Sequence, residues 1–217
     1  MAAQDPNERF DVCDRDGRPT GEVKARGLVH RDGDWHRALH LWVLSTATPP
    51  TLILQVRGSH KDTHPGCLDV SAAGHLQAGE GFEDALRESE EELGLAVDRR
   101  AVTLVGWRRL ERLTPAWRDR EYQRVYVTRQ PWSLDALRLH PDELDGAVAL
   151  SLDALEVMLD APAQPVEVLR RWGDAVAPGT VTGAQLTPGS GPYLRAVLAW
   201  VRRWLAGEAP EPEALPG

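Results

Sequence analysis

The run FEDALRESEEELGL at residues 82–95 constrains this chain more than any other segment. It is rich in helix formers and free of proline. Glu83 and Asp84 suit the positive end of a helix dipole, and Gly94 is a natural C-terminal stop. Phe82, Ala85, Leu86 and Leu93 supply an apolar side. Residues at i, i+3 and i+4 share a helix face, so Glu88, Glu91 and Glu92 project together. Three like charges on one face repel, at a cost of roughly a few tenths of a kcal/mol per pair. Such a face is either a solvated acidic stripe or a place that gathers a cation, and carboxylate oxygens are the ligands that Mg²⁺ or Mn²⁺ prefers.

The segments around this helix read mostly as strands. FDVC at 10–13 is a short strand followed by an Asp-Gly turn and a second strand. HRALHLWVLS at 36–45 and TLILQVRG at 51–58 flank a Pro-Pro turn and predict a hairpin. LDVSAAGHL at 68–76 is a strand running into a loop, and 102–113 and 121–130 are two more strands. SLDALEVML at 151–159 is a helix opened by a Ser cap. VEVLRRW at 166–172 and PYLRAVLAWVRRWLAG at 192–207 read as helices, the last with Pro at its start and Gly at its end. Its stripe of Leu194, Val197, Leu198, Val201 and Leu205 favours packing back on the body over a dimer contact. The Pro-rich acidic tail reads as frayed. Strands and helices mixed without strict alternation predict an α/β sandwich around a mixed sheet. The expected division is a domain over 1–160, a C-terminal helical extension over 161–207 packed on that domain, and a flexible tail over 208–217.

Composition narrows the partners. An apolar share of 42% supports a full core. The formal charge of −8 argues against a nucleic acid polymer, which recruits basic surfaces, but leaves room for a small phosphorylated substrate. The two cysteines, Cys13 and Cys67, are far apart and lack metal-ligand spacing, so a reducing compartment is the default. No secretory signal is visible, and the longest apolar runs are strand-length. The expectation is a cytoplasmic protein with no membrane partner, as a monomer or homodimer.

The acidic run lies inside GHLQAGEGFEDALRESEEELGL, residues 74–95. This segment resembles the signature box of the Nudix hydrolases through Gly74, Glu80, Arg87, Glu88, Glu91, Glu92, Gly94 and Leu95. It departs twice: six residues rather than seven separate Glu80 from Arg87, and Ser89 stands where an aliphatic residue is usual. The resemblance implies a Nudix-type α/β/α sandwich with an added C-terminal helix. It also implies hydrolysis of a small-molecule diphosphate with Mg²⁺ or Mn²⁺ held by Glu88, Glu91 and Glu92. Arg87 would orient those carboxylates. The proton acceptor would be Glu91 or Glu92 within the box, or Glu121 or Glu143 outside it.

Over roughly residues 10–160 the chain is similar to the Nudix branch that includes isopentenyl-diphosphate isomerase. That likeness implies that Arg57 and Lys61, ahead of Pro65 and Gly66, grip a diphosphate: Arg offers a planar fork and Lys a compact charge. It also matches His30, His36, His75, Asp119 and Glu121 to a second cluster of metal or catalytic groups, with His36, His75 and Glu121 the better candidates. The isomerases place a cysteine immediately before the Gly-His pair, where this chain has Ala73. Alanine has no proton to exchange with carbon, which turns the expectation toward hydrolysis. Trp35, Trp42, Trp107 and Trp117 read either as base-stacking surfaces or as core.

Overall fold

A computed structural model describes residues 7–61, 63–114 and 118–217. In chain order the elements are β1 (Arg9–Cys13), β2 (Pro19–Ala25), α1 (Arg26–Asp32), β3 (Trp35–Leu44), β4 (Thr51–Arg57), β5 (Leu68–Asp69) and β6 (Ala72–His75). A 3₁₀ turn (Asp84–Leu86) leads into α2 (Arg87–Leu93), followed by β7 (Val102–Leu113), β8 (Arg118–Arg129), β9 (Leu144–Ser151) and α3 (Leu152–Asp160). β10 (Val166–Trp172), β11 (Ala175–Val181), α4 (Gly191–Leu205) and β12 (Glu213–Ala214) complete the described chain.

The strands form one sheet in the order β11-β10-β9-β4-β3-β8-β7-β12. β3 runs parallel to β8 and β12 parallel to β7, so the sheet is mixed. Two-residue alternation sends successive side chains to opposite faces. On β3, Trp42 and Leu44 join a core with Leu155 and Met158 of α3 and Leu194, Val197 and Leu198 of α4. Leu39, Leu41 and Val43 join the opposite core with Ala85, Leu86 and Leu93 around α2. Helices thus cover both faces. No helix among the described residues is long and apolar enough to cross a membrane.

The β3–β4 hairpin closes at a single pair, Leu44↔Leu52. Beyond it the strands diverge: β6 pairs with β3 and β5 with β4. This split matters for function, because a cavity lined by residues of both strands opens beside it.

Three expectations need correction. VEVLRRW is not a helix but strand β10, in register with β9 on one side and β11 on the other. Val166 and Val168 are buried with an exposed residue between them, a period of two, and the turn at Gly173 closes a hairpin. The extension over 161–207 is therefore part strand. The tail is not frayed throughout either: Glu213 and Ala214 pair beside Gly106 and Trp107, and Leu215 is buried. That pairing covers an edge strand that would otherwise be open. A short helix, α1, also stands where none was expected, stopped by Gly33 in the left-handed conformation.

Candidate active site

A cavity of about 750 Å³ is walled by β3, β6, β7, β8, α2 and the start of α4. Among the candidates, Arg57, Lys61, His75, Arg87, Glu88, Glu91, Glu92 and Glu121 line it, as do His30, Asp119 and Glu143. His36 does not; it lies fully buried behind the wall. Trp35, Trp42 and Trp107 are not among the lining residues, and Trp117 lies outside the described residues.

The box acts as a local brace. Arg87 donates from Nε to Glu80 Oε1 at 3.0 Å and from Nη2 to Glu80 Oε2 at 3.2 Å. Its Nη1 reaches Glu88 at 2.5 Å and Glu91 at 3.1 Å. Glu80 in turn accepts the Gln77 N–H at 2.7 Å. The shortened spacing before Arg87 therefore still lets Glu80 meet the first helical turn. Gly74 lies against Glu88, and a Cβ there would fall 2.2 Å from the Glu88 Cδ. Only a residue without a side chain lets that carboxylate cross β6 to the cavity. Ser89 is fully buried and its Oγ finds no hydrogen-bond partner among the described residues, so the box position that usually carries an aliphatic group buries a polar one here.

The three helix acids differ in setting. Glu91 keeps 57% of its side chain exposed, whereas Glu92 is 4% exposed and accepts the Ala73 N–H at 3.2 Å. Burial pushes the Glu88 carboxyl up to about 7. Burial, and then the nearby Glu88 charge, push Glu92 up to about 8. A part-buried and a buried carboxylate, both reluctant to ionise, form a site that a cation would relieve. Across the cavity Lys61 pairs with Glu143, and burial holds the Lys61 ammonium below its ordinary value. Arg57 is braced by the Thr63 carbonyl at 2.9 and 3.0 Å and by Asp69 at 3.3 Å.

The second cluster sits where β3, β6 and β8 meet α1. Ligand atoms of His30, His36 and His75 lie within 4.8 Å of one another, and so do those of His36, Asp119 and Glu121. Among the described residues no such set includes the acids of α2, so the metal ligands expected from sequence fall into two groups rather than one. Phe10 packs against all three imidazoles and stacks on His36 with ring centroids 5.4 Å apart. His36 Nδ1 contacts the Asp34 carbonyl, while its Nε2 and Asp119 Oδ1 are buried without a hydrogen bond. Burial, and then His75, depress His36 to about 4. Burial, and then Glu121, raise Asp119 to about 7. Burial alone would raise Glu121 and lower His75; their 3.1 Å hydrogen bond outweighs it, holding Glu121 low and His75 high. The imidazoles of His30 and His36, held neutral by burial and facing Asp119, are a donor set suited to a transition-metal ion.

Sequence reasoning missed Arg26, His40, Arg108, Arg112 and Tyr193, which also line the cavity. The alternation of β7 and its register with β8 were the available signal: Arg108 is opposite Gln123, and Arg112 opposite Asp119. Tyr193 came from an α4 surface read only as core.

The family model described as NUDIX domain matches residues 34–172. Nudix hydrolase 3 of Arabidopsis thaliana is 39% identical over 142 residues, 63% of this chain, but the chain spans only 18% of that protein's length. An uncharacterised Nudix hydrolase of Clostridium acetobutylicum is 36% identical over 154 residues, covering 70% of this chain and 74% of the relative. An isopentenyl-diphosphate Delta-isomerase of Mycolicibacterium vanbaalenii is 32% identical over 104 residues, 47% of this chain and 56% of the relative. Among solved structures, DR0079 of Deinococcus radiodurans superposes with a TM-score of 0.51 at 24% identity, over 71% of this chain and 90% of that one, a likeness of fold.

Proposed function

The chain belongs to the Nudix hydrolase family, and from that premise we propose that it is a metal-dependent enzyme that cuts the diphosphate linkage of a small organic molecule. The observation that carries this reading is that part-buried Glu88 and buried Glu92, from one helix, both line the cavity opposite Arg57 and Lys61. Mg²⁺ or Mn²⁺ held by α2 would neutralise charge on the diphosphate oxygens and lower the pKa of a bound water. Glu88 and Glu92 are the acids best placed to hold it. Glu91, on the same helix and open to the cavity, is the carboxylate available to take the proton of the attacking water. Arg87 positions Glu88 and Glu91 by direct hydrogen bonds. Arg57 and Lys61 supply positive charge for the diphosphate; Lys61 must exchange Glu143 for phosphate oxygen to do so. The histidine cluster offers a nitrogen-rich place for a second ion, with Glu121 and His75 hydrogen-bonded at its edge. Ala73 on the cavity wall supports hydrolysis over isomerisation, since it has no proton to move at carbon.

The test is Glu91→Gln, assayed for phosphate release from a panel of organic diphosphates with Mg²⁺. Turnover is expected to fall by at least ~10²-fold, the usual weight of a general base, with the far-ultraviolet circular dichroism unchanged because the side chain is exposed. Full hydrolysis in that variant would remove Glu91 from the role.

A further inference from the structure

We propose that the wall formed by β7 and the start of α4 is an anion subsite, built on Arg108 and Arg112, that receives a second anionic group carried by the organic part of the substrate. This rests on the diphosphatase reading above and names the chemical class of the group beyond the diphosphate.

Arg108 is 5% exposed and lines the cavity. Its guanidinium lies over the Tyr193 ring, 4.1 Å from the centroid, and its Nε is buried without a hydrogen-bond partner. Among the described residues no hydrogen bond or ion pair involves this side chain. Arginine does not shed its proton, so a buried guanidinium without an anion is costly. Stacking on tyrosine occupies the flat face and leaves the edge of the guanidinium to meet an anion.

Of the neighbouring acids, Asp69 and Glu121 are already engaged. Asp69 takes the Arg57 guanidinium at 3.3 Å and the Val70 N–H at 2.9 Å. Glu121 is held by His75 and Gln123. Asp119 faces His30 and His36 at 3.6 and 3.7 Å. Arg112 lies four residues along β7, so it points to the same side, and it also lines the cavity. Among the described residues it too makes no ion pair.

The support behind Arg108 is fully bonded. Trp42 Nε1 donates to the Tyr193 hydroxyl at 3.1 Å, and that hydroxyl lies 3.1 Å from His40 Nδ1. The hydroxyl accepts from Trp42 and shares a hydrogen bond with His40. Tyr193 is thereby fixed beneath the guanidinium. A purely hydrocarbon substrate group would leave both arginines unmatched; a phosphate or carboxylate would satisfy them.

The experiment compares alkyl diphosphates of increasing chain length with counterparts bearing a terminal phosphate or a terminal carboxylate. In the wild type, kcat/KM for an anion-tipped compound is expected to exceed that of its plain partner by about 10- to 100-fold, the weight of a hydrogen bond to a charged group. In Arg108→Met that ratio collapses toward one, and Arg108→Lys recovers part of it. The larger of the two tips tells phosphate from carboxylate. A wild-type ratio near one, or an undiminished ratio in Arg108→Met, overturns the subsite while leaving the hydrolase standing. Titration calorimetry of the metal-free protein with the same pairs separates the two ideas. If no compound is hydrolysed but the anion-tipped one binds more tightly and Arg108→Met abolishes the difference, the subsite holds and the diphosphatase reading fails.

Discussion

Gly74→Ala tests the placement of Glu88 with the smallest possible change. The new Cβ would lie 2.2 Å from Glu88 Cδ, 2.4 Å from Cγ and 2.5 Å from Oε1. Carbon atoms in contact stay about 3.5 Å apart, so the Glu88 side chain must give by about 1.3 Å from its 2.2 Å approach. Nothing in the backbone resists the substitution, because Gly74 does not have a positive φ. The clash is with a flexible side chain, so the cost falls on the carboxylate's position rather than on the fold. A displacement of about 1 Å in a reacting constellation lowers turnover by ~10²-fold. Stability should change by no more than ~1 kcal/mol, since the loss of a flexible glycine offsets local crowding. The assay is phosphate release across a Mg²⁺ titration, run beside thermal unfolding of the same preparation. Weakened Mg²⁺ dependence and a ~10²-fold loss at an unchanged melting temperature are expected. Wild-type turnover with wild-type Mg²⁺ response would show that Glu88 does not serve at this position.

Two further outcomes follow from the same residues. Ser89→Ala removes a buried hydroxyl with no partner and should stabilise by up to ~1 kcal/mol, a rise of roughly 2–4 °C in melting temperature, read by calorimetry. Divalent-ion affinity should rise with pH. Burial raises Glu88 to about 7 and Glu92 to about 8, so below those values protons compete with the ion, and in the metal-free protein the penalty of ionising them grows as pH climbs toward them. The thermal shift caused by Mg²⁺ should therefore be small below about 7 and full above about 8; a shift independent of pH would take these carboxylates out of the metal site.

Much of the site was legible because it is local. Helix periodicity alone places Glu88, Glu91 and Glu92 on one side of α2, and the Arg87–Glu80 brace lies within the same segment. The histidine cluster was partly legible through resemblance, but its separation from α2 depends on how β3 leaves β4, a long-range event. The misread segment had its cue in alternation: the buried Val166 and Val168 have period two, while Leu169 and the arginines imitate a helical surface. The tail hid its contact because a single leucine and a two-residue pairing carry no periodic signal. Arg108 was illegible for a different reason. An arginine on a strand reads as solvent-facing until its partners on β8 and α4 enclose it.

The most direct test of metal-dependent diphosphate hydrolysis is phosphorus NMR of an organic diphosphate incubated with the wild type, in Mg²⁺ and in excess chelator, beside Glu88→Gln/Glu92→Gln. Cleavage with Mg²⁺, and none with chelator or in the double variant, is the expected result. Cleavage that persists undiminished in chelator or in the double variant would contradict it.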